Sequence, residues 1–424
     1  MSGKGLRHGF TTGACAAAAA KGAALMLREQ RRFDSVELAL PAGFSHRFEL
    51  HGQRWDETSA HCFVVKDAGD DPDVTHGVEV HAEVFLGGAV GADPRVRPLD
   101  QGPPKEIGRT HGFAPAKVII EGGVGIGRVT KPGLAVPVGG WAINPMPRRM
   151  ITEAVLEVFP PHSFPLTPHV VISVPDGVER ARRTLNERLG IVGGLSILGT
   201  TGVVKPISHR AWTDTLEVAL DVALAGGCAT VVLSTGRTSE QAAQRFLQNP
   251  PPPLMGGGRG EGDSEDGTPA LTLPHRGGGK SVQLPDEAFV MMGDHVGYAF
   301  EACHRKGVSG IVLAAQFAKL VKVACGHAQT HAGSSSLDLA RLADWSRMLG
   351  LDEGTAKKIE CANTAREVLE LLGPGHPLVG DVADRALERL RQWAAGAAVA
   401  ILLVDYEGRI AGRFGRAGGF DSKG

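Results

Sequence analysis

Val64 to Gly77 reads VVKDAGDDPDVTHG and crowds Asp67, Asp70, Asp71 and Asp73 ahead of His76. Carboxylates this close raise one another's pKa, which suits a general base. Asp67, directly after an apolar run, is the first candidate; Asp294, in GDHVG, is the second. The plainer alternative is a solvated acidic turn with Asx caps. A calcium loop is a third reading, but the terminal glutamate and the spacing of an EF-hand are missing.

GGVGIGRVTKPG, Gly122 to Gly133, offers a second kind of chemistry. Its backbone amides, with Arg128 and Lys131, can hold carboxylates of a substrate. It can equally be a tight hairpin. Trp141, among glycines and prolines in VPVGGWAINPMPRRMI, can stack on a flat ligand or plug a domain boundary. His327 and His331 are four apart, but two histidines without a third ligand do not make a metal site, and none is expected. Near the start, RHGFTTGACAAAAAKGAALML places Thr11, Thr12 and Gly13 ahead of five alanines. Alanine is the best helix former, so a helix starts here, capped by Thr11 or Thr12. Its first amides can face an anion, or the helix can simply be capped and close-packed. Cys15 on that helix reads as a small buried residue.

These groups need elements to position them. The second half of the chain alternates apolar runs with helical patterns: TVVLSTG then SEQAAQRFL, AFVMMGD then HVGYAFEACHRKG, SGIVLAAQ then FAKLVKVACGH. Continuous apolar strands followed by helices predict a parallel sheet covered on both faces. VVISVPDG, the helical ERARRTLNERLG and GLSILGTTG extend the same theme upstream. Ligands of such sheets bind beyond the carboxyl ends of the strands. Those ends carry Gly199-Thr200-Thr201-Gly202, Ser234-Thr235-Gly236 and Gly293-Asp294, hydroxyl, glycine and acidic groups suited to a nucleoside with a charged tail. No GxxxxGK[ST] follows a strand, and no GxGxxG opens a strand-to-helix turn, which argues against a P-loop nucleotidase and a dinucleotide enzyme.

The first part mixes the alanine-rich helix with strands at SVELALPAG, CFVVKDAG, VEVHAEVFL and AKVIIEGG without regular alternation, an α+β pattern. The predicted class is therefore α/β overall, an α+β domain over 1–160 followed by an α/β domain with a mainly parallel sheet over 161–415. Prolines 160, 161, 165 and 168 suggest the boundary. Asn249 to Lys280, rich in Pro, Gly and charge, reads as a flexible insertion, and 416–424 as a tail. The region from Ser335 to about Ala395 is expected to be helical, with VAILLVDYEGRIAGR adding a strand or hairpin.

Composition narrows the partners. Of 424 residues, 42% are hydrophobic and 21% charged, an ordinary globular balance. A net charge of -1 gives no electrostatic case for nucleic acid. The apolar run AAGAAVAILLVDY is too short to span a bilayer, and no basic-then-apolar leader opens the sequence, so no membrane or secretory role is expected. Six cysteines without a CxxC pair suggest reduced thiols and a cytoplasmic location.

Several of these segments together are similar to one family. GFTTGACAAAAAKGA, VVKDAGDDPDVTHG, GGVGIGRVTKPGLAVPVGGWAINPMPRRMI, ISVPDGVERARRTLNERLGIVGGLSILGTTGVVKPIS and GDHVGYAFEACHRKG resemble, in order, the CbiD-type cobalt-precorrin-5B C1-methyltransferases. One stretch departs: where the family often carries a Gly-His-x-Gly-Lys-like sequence, this chain has AAQFAKLVK, keeping Lys319 and Lys322. The resemblance implies methyl transfer from S-adenosylmethionine, a cosubstrate, to C1 of a cobalt-bound contracted tetrapyrrole on the oxygen-independent route to cobalamin. Cobalt then enters only with the substrate, and a homo-oligomer is compatible with the sequence. On that reading Gly199, Thr200, Thr201, Gly202, Ser234, Thr235, Gly236 and Asp294 hold the donor. Thr11, Thr12, Gly13, Arg128, Lys131 and Lys205 hold the ring, and Asp67 or Asp294 supplies a base. Two other readings are a non-enzymatic tetrapyrrole carrier and an ATP-dependent phosphotransferase using Gly122–Gly127 as its phosphate loop.

Overall fold

The computed structural model describes residues 6–86, 118–161, 166–206, 208–248 and 284–416. The expected insertion at 249–280 and the tail beyond Arg416 lie outside them. The chain divides into two compact units, Met1–Ser208 and His209–Gly424.

In the first unit, β1 (Gly9–Phe10) leads into α1 (Thr12–Glu29). Thr11 caps α1, its Oγ1 accepting the Ala14 N–H at 3.2 Å. Gln30 ends it in the left-handed conformation, its N–H donating to Met26 O. Every residue from Ala14 to Ala20 is fully buried. A helix buried all round needs small side chains, because neighbours approach from every direction. These neighbours include β5 (Ser59–Val65), β6 (Glu79–Leu86) and α2 (Pro145–Val158). The tight start of the sequence is thus the central helix of the unit.

β2 (Ser35–Leu40) and β3 (Phe44–Glu49) form a hairpin, and β4 (His51–Trp55) pairs with β5. β7 (Ile119–Gly122), β8 (Arg128–Val129), β9 (Pro168–Ser173), α3 (Gly177–Ala181), β10 (Ile191–Val192) and β11 (Val203–Val204) complete the unit. The main sheet runs β4-β5-β6-β9-β7. Ala60, Cys62 and Val64 lie opposite Val84, Ala82 and Val80 as buried residues at every second position, a strand period of two with one face on the core.

The predicted boundary at 160/161 is corrected here to 208/209. β9 does not open an alternating parallel domain. It lies antiparallel to β6 and parallel to β7 inside the first sheet, so cutting at 160 would divide that sheet. The helix expected over ERARRTLNERLG is also short. Thr184 Oγ1 donates to Ala181 O at 2.7 Å and accepts the Asn186 N–H, while Asn186 Nδ2 donates to Gly194 O. Such side-chain bonds compete with the helical ladder.

The second unit opens with α4 (His209–Ala225), β12 (Thr230–Ser234), α5 (Arg237–Gln248), β13 (Phe289–Met291), α6 (Val296–Arg305), β14 (Gly310–Gln316) and α7 (Phe317–Ala324). Four helices follow, α8 (Leu339–Met348), α9 (Glu353–Glu360), α10 (Ala365–Leu372) and α11 (Pro377–Trp393), then the hairpin β15 (Ala398–Val404) and β16 (Ile410–Arg416). The sheet order is β13-β12-β14-β15-β16, parallel except for β16. All five residues of β12 are buried, as are Gly310 to Ala315 of β14. That is the expected signature of strands covered on both faces. The mixed α/β class predicted for the chain is the one observed.

Candidate functional site

At the start of α1 the structure answers the anion question against an open site. The Gly13 N–H donates to Leu198 O at 3.0 Å and the Thr11 N–H to Gly202 O at 3.0 Å. Thr12 Oγ1 accepts the Leu198 N–H at 3.0 Å. Gly199, at φ +129, leaves just enough space for Thr11; a Cβ there would lie 2.3 Å from its Oγ1. The TTG turn therefore receives the 198–202 segment of its own chain, and Thr11, Thr12 and Gly13 are buried. Thr12→Val is expected to cost about 1–2 kcal/mol, because the Leu198 N–H loses its acceptor. Urea denaturation checks this, and KM for the ring should not move.

The same contacts correct the grouping of donor residues. Gly199-Thr200-Thr201-Gly202 is not a strand end of the parallel sheet; it belongs to the first unit, whereas Ser234, Thr235, Gly236 and Asp294 belong to the second. Thr200, Thr201 and Lys205 are exposed. The loop's local pattern of strand then glycine matches a parallel-sheet turn, so nothing short of tertiary pairing distinguishes the two.

Asp67 is also corrected. Its carboxylate accepts from both terminal guanidinium nitrogens of Arg7, from Nη2 at 3.0 Å, and from the Gly69 N–H at 2.9 Å. The hydrogen bond from Arg7, with that from Gly69 and against the smaller effect of burial, holds its pKa below the usual value rather than above it. Asp70 accepts the Arg7 N–H at 2.6 Å. Asp73 accepts from the buried Lys66 ammonium at 2.5 Å and from Thr75. The crowd of acids is a turn stitched by cations and amides, and among the described residues no cluster able to hold a metal ion is found. Removal of a true general base costs about 10²–10⁴-fold in rate, so Asp67→Asn, expected to keep kcat within about twofold from pH 6 to 8, is a decisive assay.

The glycine loop is a crossing of chains. The amides of Gly123, Ile126 and Gly127 donate to Ile172 O, Gly123 O and Leu195 O. With these three donors spent on the chain, half of the Gly122–Gly127 amides are turned away from any phosphate, which counts against a cradle of the kind a phosphotransferase requires. Trp141 lies against Gly122, and the Arg128 guanidinium covers its ring at 3.5 Å while donating to Gly139 O at 2.7 Å. Lys131 packs on Gly190, its Nζ 3.4 Å from Arg188 O. Arg128 and Trp141 thus satisfy each other, although the Arg128 side remains exposed. Burial pushes the Cys15 thiol up to about 12, so it is inert at neutral pH. His331 Nδ1 accepts the Gly333 N–H, a capping role.

In the second unit the strand ends do converge. β12 is followed by β13 on one side, while β14 lies on its other side and is followed outward by β15. The strand order therefore reverses between β12 and β14, the position where open parallel sheets bind ligands. Ser234 ends β12 there, 1% exposed, and its Oγ has no hydrogen-bond partner. Gly236 begins the turn into α5, and a Cβ on it would meet nothing within 4 Å. Next to β12, the Met292 N–H donates to Ser234 O at 2.9 Å, which brings Gly293 and Asp294 alongside. Gly293, at φ +61, lies under the Trp212 indole, whose Nε1 donates to Met292 O.

Asp294 accepts from Lys319 and from Thr330 Oγ1 at 2.7 Å. Burial works to raise its pKa, but Lys319 and Thr330 outweigh it and hold the carboxyl below its usual value. Like Asp67 it is ion-paired with its pKa held down, which makes it a weak base near neutrality. Lys319, Lys322 and Thr330 are site neighbours that sequence reasoning did not assign; the retained Lys-x-x-Lys spacing of α7 was the available sign.

This is a two-unit α/β protein with a polar, ion-paired cluster beyond the carboxyl ends of a mainly parallel sheet, the edge at which open α/β sheets bind ligands. The model of the CbiD family matches residues 1–206, and the CbiD C-terminal domain matches 329–415. The chain belongs to the CbiD family. It is 51% identical over 410 residues to the cobalt-precorrin-5B C(1)-methyltransferase of Geobacter metallireducens, covering 97% of this chain and 99% of that one. It is 52% identical to the protein of the same name from Pelobacter propionicus, covering 96% and 95%. A crystal structure described as the cobalamin biosynthesis protein CbiD from Archaeoglobus fulgidus is 23% identical, with a TM-score of 0.35 over 81% of this chain and 85% of that one. No described helix is long and apolar enough to cross a membrane.

Proposed function

We propose that this chain is a cobalt-precorrin-5B C1-methyltransferase that takes its methyl group from S-adenosylmethionine. The observation that carries the reading is the 51% identity maintained over 99% of a relative bearing that name. The strand-end site of the second unit supports a nucleoside donor there. A buried hydroxyl without a partner at Ser234 and open room at Gly236 fit a ribose, with Thr235 and Asp294 beside them. Bound there, the donor supplies an electrophilic sulfonium methyl. The protein's work is then to align it with the ring carbon and exclude water.

The ring, fringed with carboxylates, is assigned to the first unit. Thr200, Thr201, Lys205 and Arg128 are exposed hydroxyls and cations of that unit and suit such a substrate. Lys131, tied to Arg188 O, contributes by holding the neighbouring loop. No base is assigned, since both candidate aspartates are ion-paired.

Mass-spectrometric turnover with purified protein, S-adenosylmethionine and anaerobically prepared cobalt-precorrin-5B tests the reading. Gain of one methyl, with S-adenosylhomocysteine formed in equal amount, is the expected result. A bound ring with no methyl gained would turn the assignment toward a carrier.

A further inference from the structure

Two ammoniums and one carboxylate meet beyond the carboxyl ends of β13 and β14. Lys319 pairs with Asp294 and also donates to Thr330 O at 3.2 Å. Lys322, 8% exposed, donates to that same carbonyl at 3.0 Å. Asp294 pairs with Lys319; it also attracts the Lys322 ammonium through space, but no carboxylate among the described residues forms an ion pair with Lys322, so two ammoniums share one acid. A lysine ammonium has three donors, and this one has a single acceptor. Buried charges are ordinarily paired, because desolvation is costly without a counter-charge. His331 and His295 are the other titratable groups that act on Asp294 or lie beside it, and neither can supply an anion. Access comes from the Lys319 and Asp294 side chains, 28% and 25% exposed. Nearby, Gln329 Oε1 is a second buried polar atom without a partner, its Nε2 lying 3.2 Å from His295 Nδ1. The cluster thus holds one surplus positive charge and an unused acceptor adjacent in sequence to Thr330.

We propose that Lys319 and Lys322, with the Thr330 turn, form the seat of a carboxylate carried by a ligand of the second unit. This rests on the strand-end crevice being a ligand site, as read above. Two sources share that chemistry: the amino-acid end of the methyl donor, whose ammonium would suit Gln329 Oε1, and a carboxylate arm of the tetrapyrrole. The test is calorimetric titration of full-length wild type and Lys322→Met with three probes: S-adenosylhomocysteine, 5′-methylthioadenosine, which lacks the amino-acid end, and the cobalt-bound ring. Methionine matches the lysine stem and leaves no carboxylate orphaned, so the variant should fold, and its melting temperature is recorded alongside.

If the donor supplies the carboxylate, the variant binds S-adenosylhomocysteine about tenfold or more weakly and 5′-methylthioadenosine unchanged, the loss of one charge-assisted contact. If the ring supplies it, only ring binding weakens by that factor. Either outcome supports the seat and assigns its source. Unchanged binding of all three probes, or equal weakening of both nucleosides, overturns it while leaving the donor reading intact. Failure of wild type to bind either nucleoside overturns the donor reading; ring binding then decides the seat by itself.

Discussion

Gly125→Ala is expected to abolish folding of the first unit. Gly125 sits at φ +72, and a Cβ there would lie 1.8 Å from Val174 O and 2.9 Å from Val174 C. Backbone cannot give way as a side-chain tip can. Gly177 and Gly194 press on the other sides: a Cβ on either would come within 2.3 Å or 2.2 Å of Gly125 O. Three glycines therefore cross at one point, and the Gly125 carbonyl accepts the Leu195 N–H through the gap at 2.8 Å. Separating these strands would also break the bond from the Val174 N–H to Val124 O. The cost exceeds about 4 kcal/mol, a large share of the roughly 5–15 kcal/mol by which domains are stable. Gly139→Ala is the control: it shares a positive φ, +84, but a Cβ there meets nothing within 4 Å. It should lose only about 1 kcal/mol. Soluble yield and thermal melts compare the two. Gly125→Ala melting with the wild type would show that the crossing can relax.

Asp73→Ala should be the next most damaging change, at about 3 kcal/mol, because it strips the counter-ion from a buried ammonium. The Lys66 side chain is 1% exposed and pairs with Asp73, whose other oxygen accepts the Thr75 N–H and hydroxyl at 2.7 Å each. Lys66→Met should cost much less, since it leaves an acid that is partly solvated. That asymmetry separates an unpaired buried charge from a lost contact. The pH dependence has a defined sign. Burial works to raise the Asp73 carboxyl, but Lys66 and Thr75 outweigh it and hold the folded-state pKa below the usual 3.8. The stabilisation is therefore complete above 3.8 and disappears as pH falls through the folded value. Urea titrations of wild type and Asp73→Ala should differ most at neutral pH and converge in strong acid. A gap that persists there would mean the loss comes from Thr75 and packing.

Local chemistry in the chain was enough to place some of this in advance. Thr11-Thr12-Gly13 before the alanine run named α1 and narrowed its cap to Thr11 or Thr12, since helix propensity and capping depend on neighbours a few residues away. Continuous apolar runs named β12, β13 and β14 as strands of a covered parallel sheet, VAILLVDYEGRIAGR signalled a further strand or hairpin, and the region from Ser335 to about Ala395 signalled helix. The ordered set of motifs was also sufficient to suggest the family to which the chain belongs.

Partnership across long separations needed the tertiary structure. PHVVIS has the same apolar pattern whether it opens a parallel domain or closes an antiparallel sheet; only its register against β6 and β7 assigns β9 to the first unit. GTTG and STG look alike as strand-end turns, yet in one Gly202 O accepts the Thr11 N–H from the start of the chain, and the other ends β12. Asp67 looked like a base among acids until Arg7, 60 residues away, paired with it. Lys322, which the sequence marks only by its Lys-x-x-Lys spacing, proved to share the Thr330 carbonyl with Lys319 and to form no ion pair of its own among the described residues. Periodicity and capping act within a few residues and are written in the chain; pairing energies act between residues that only the folded backbone brings together.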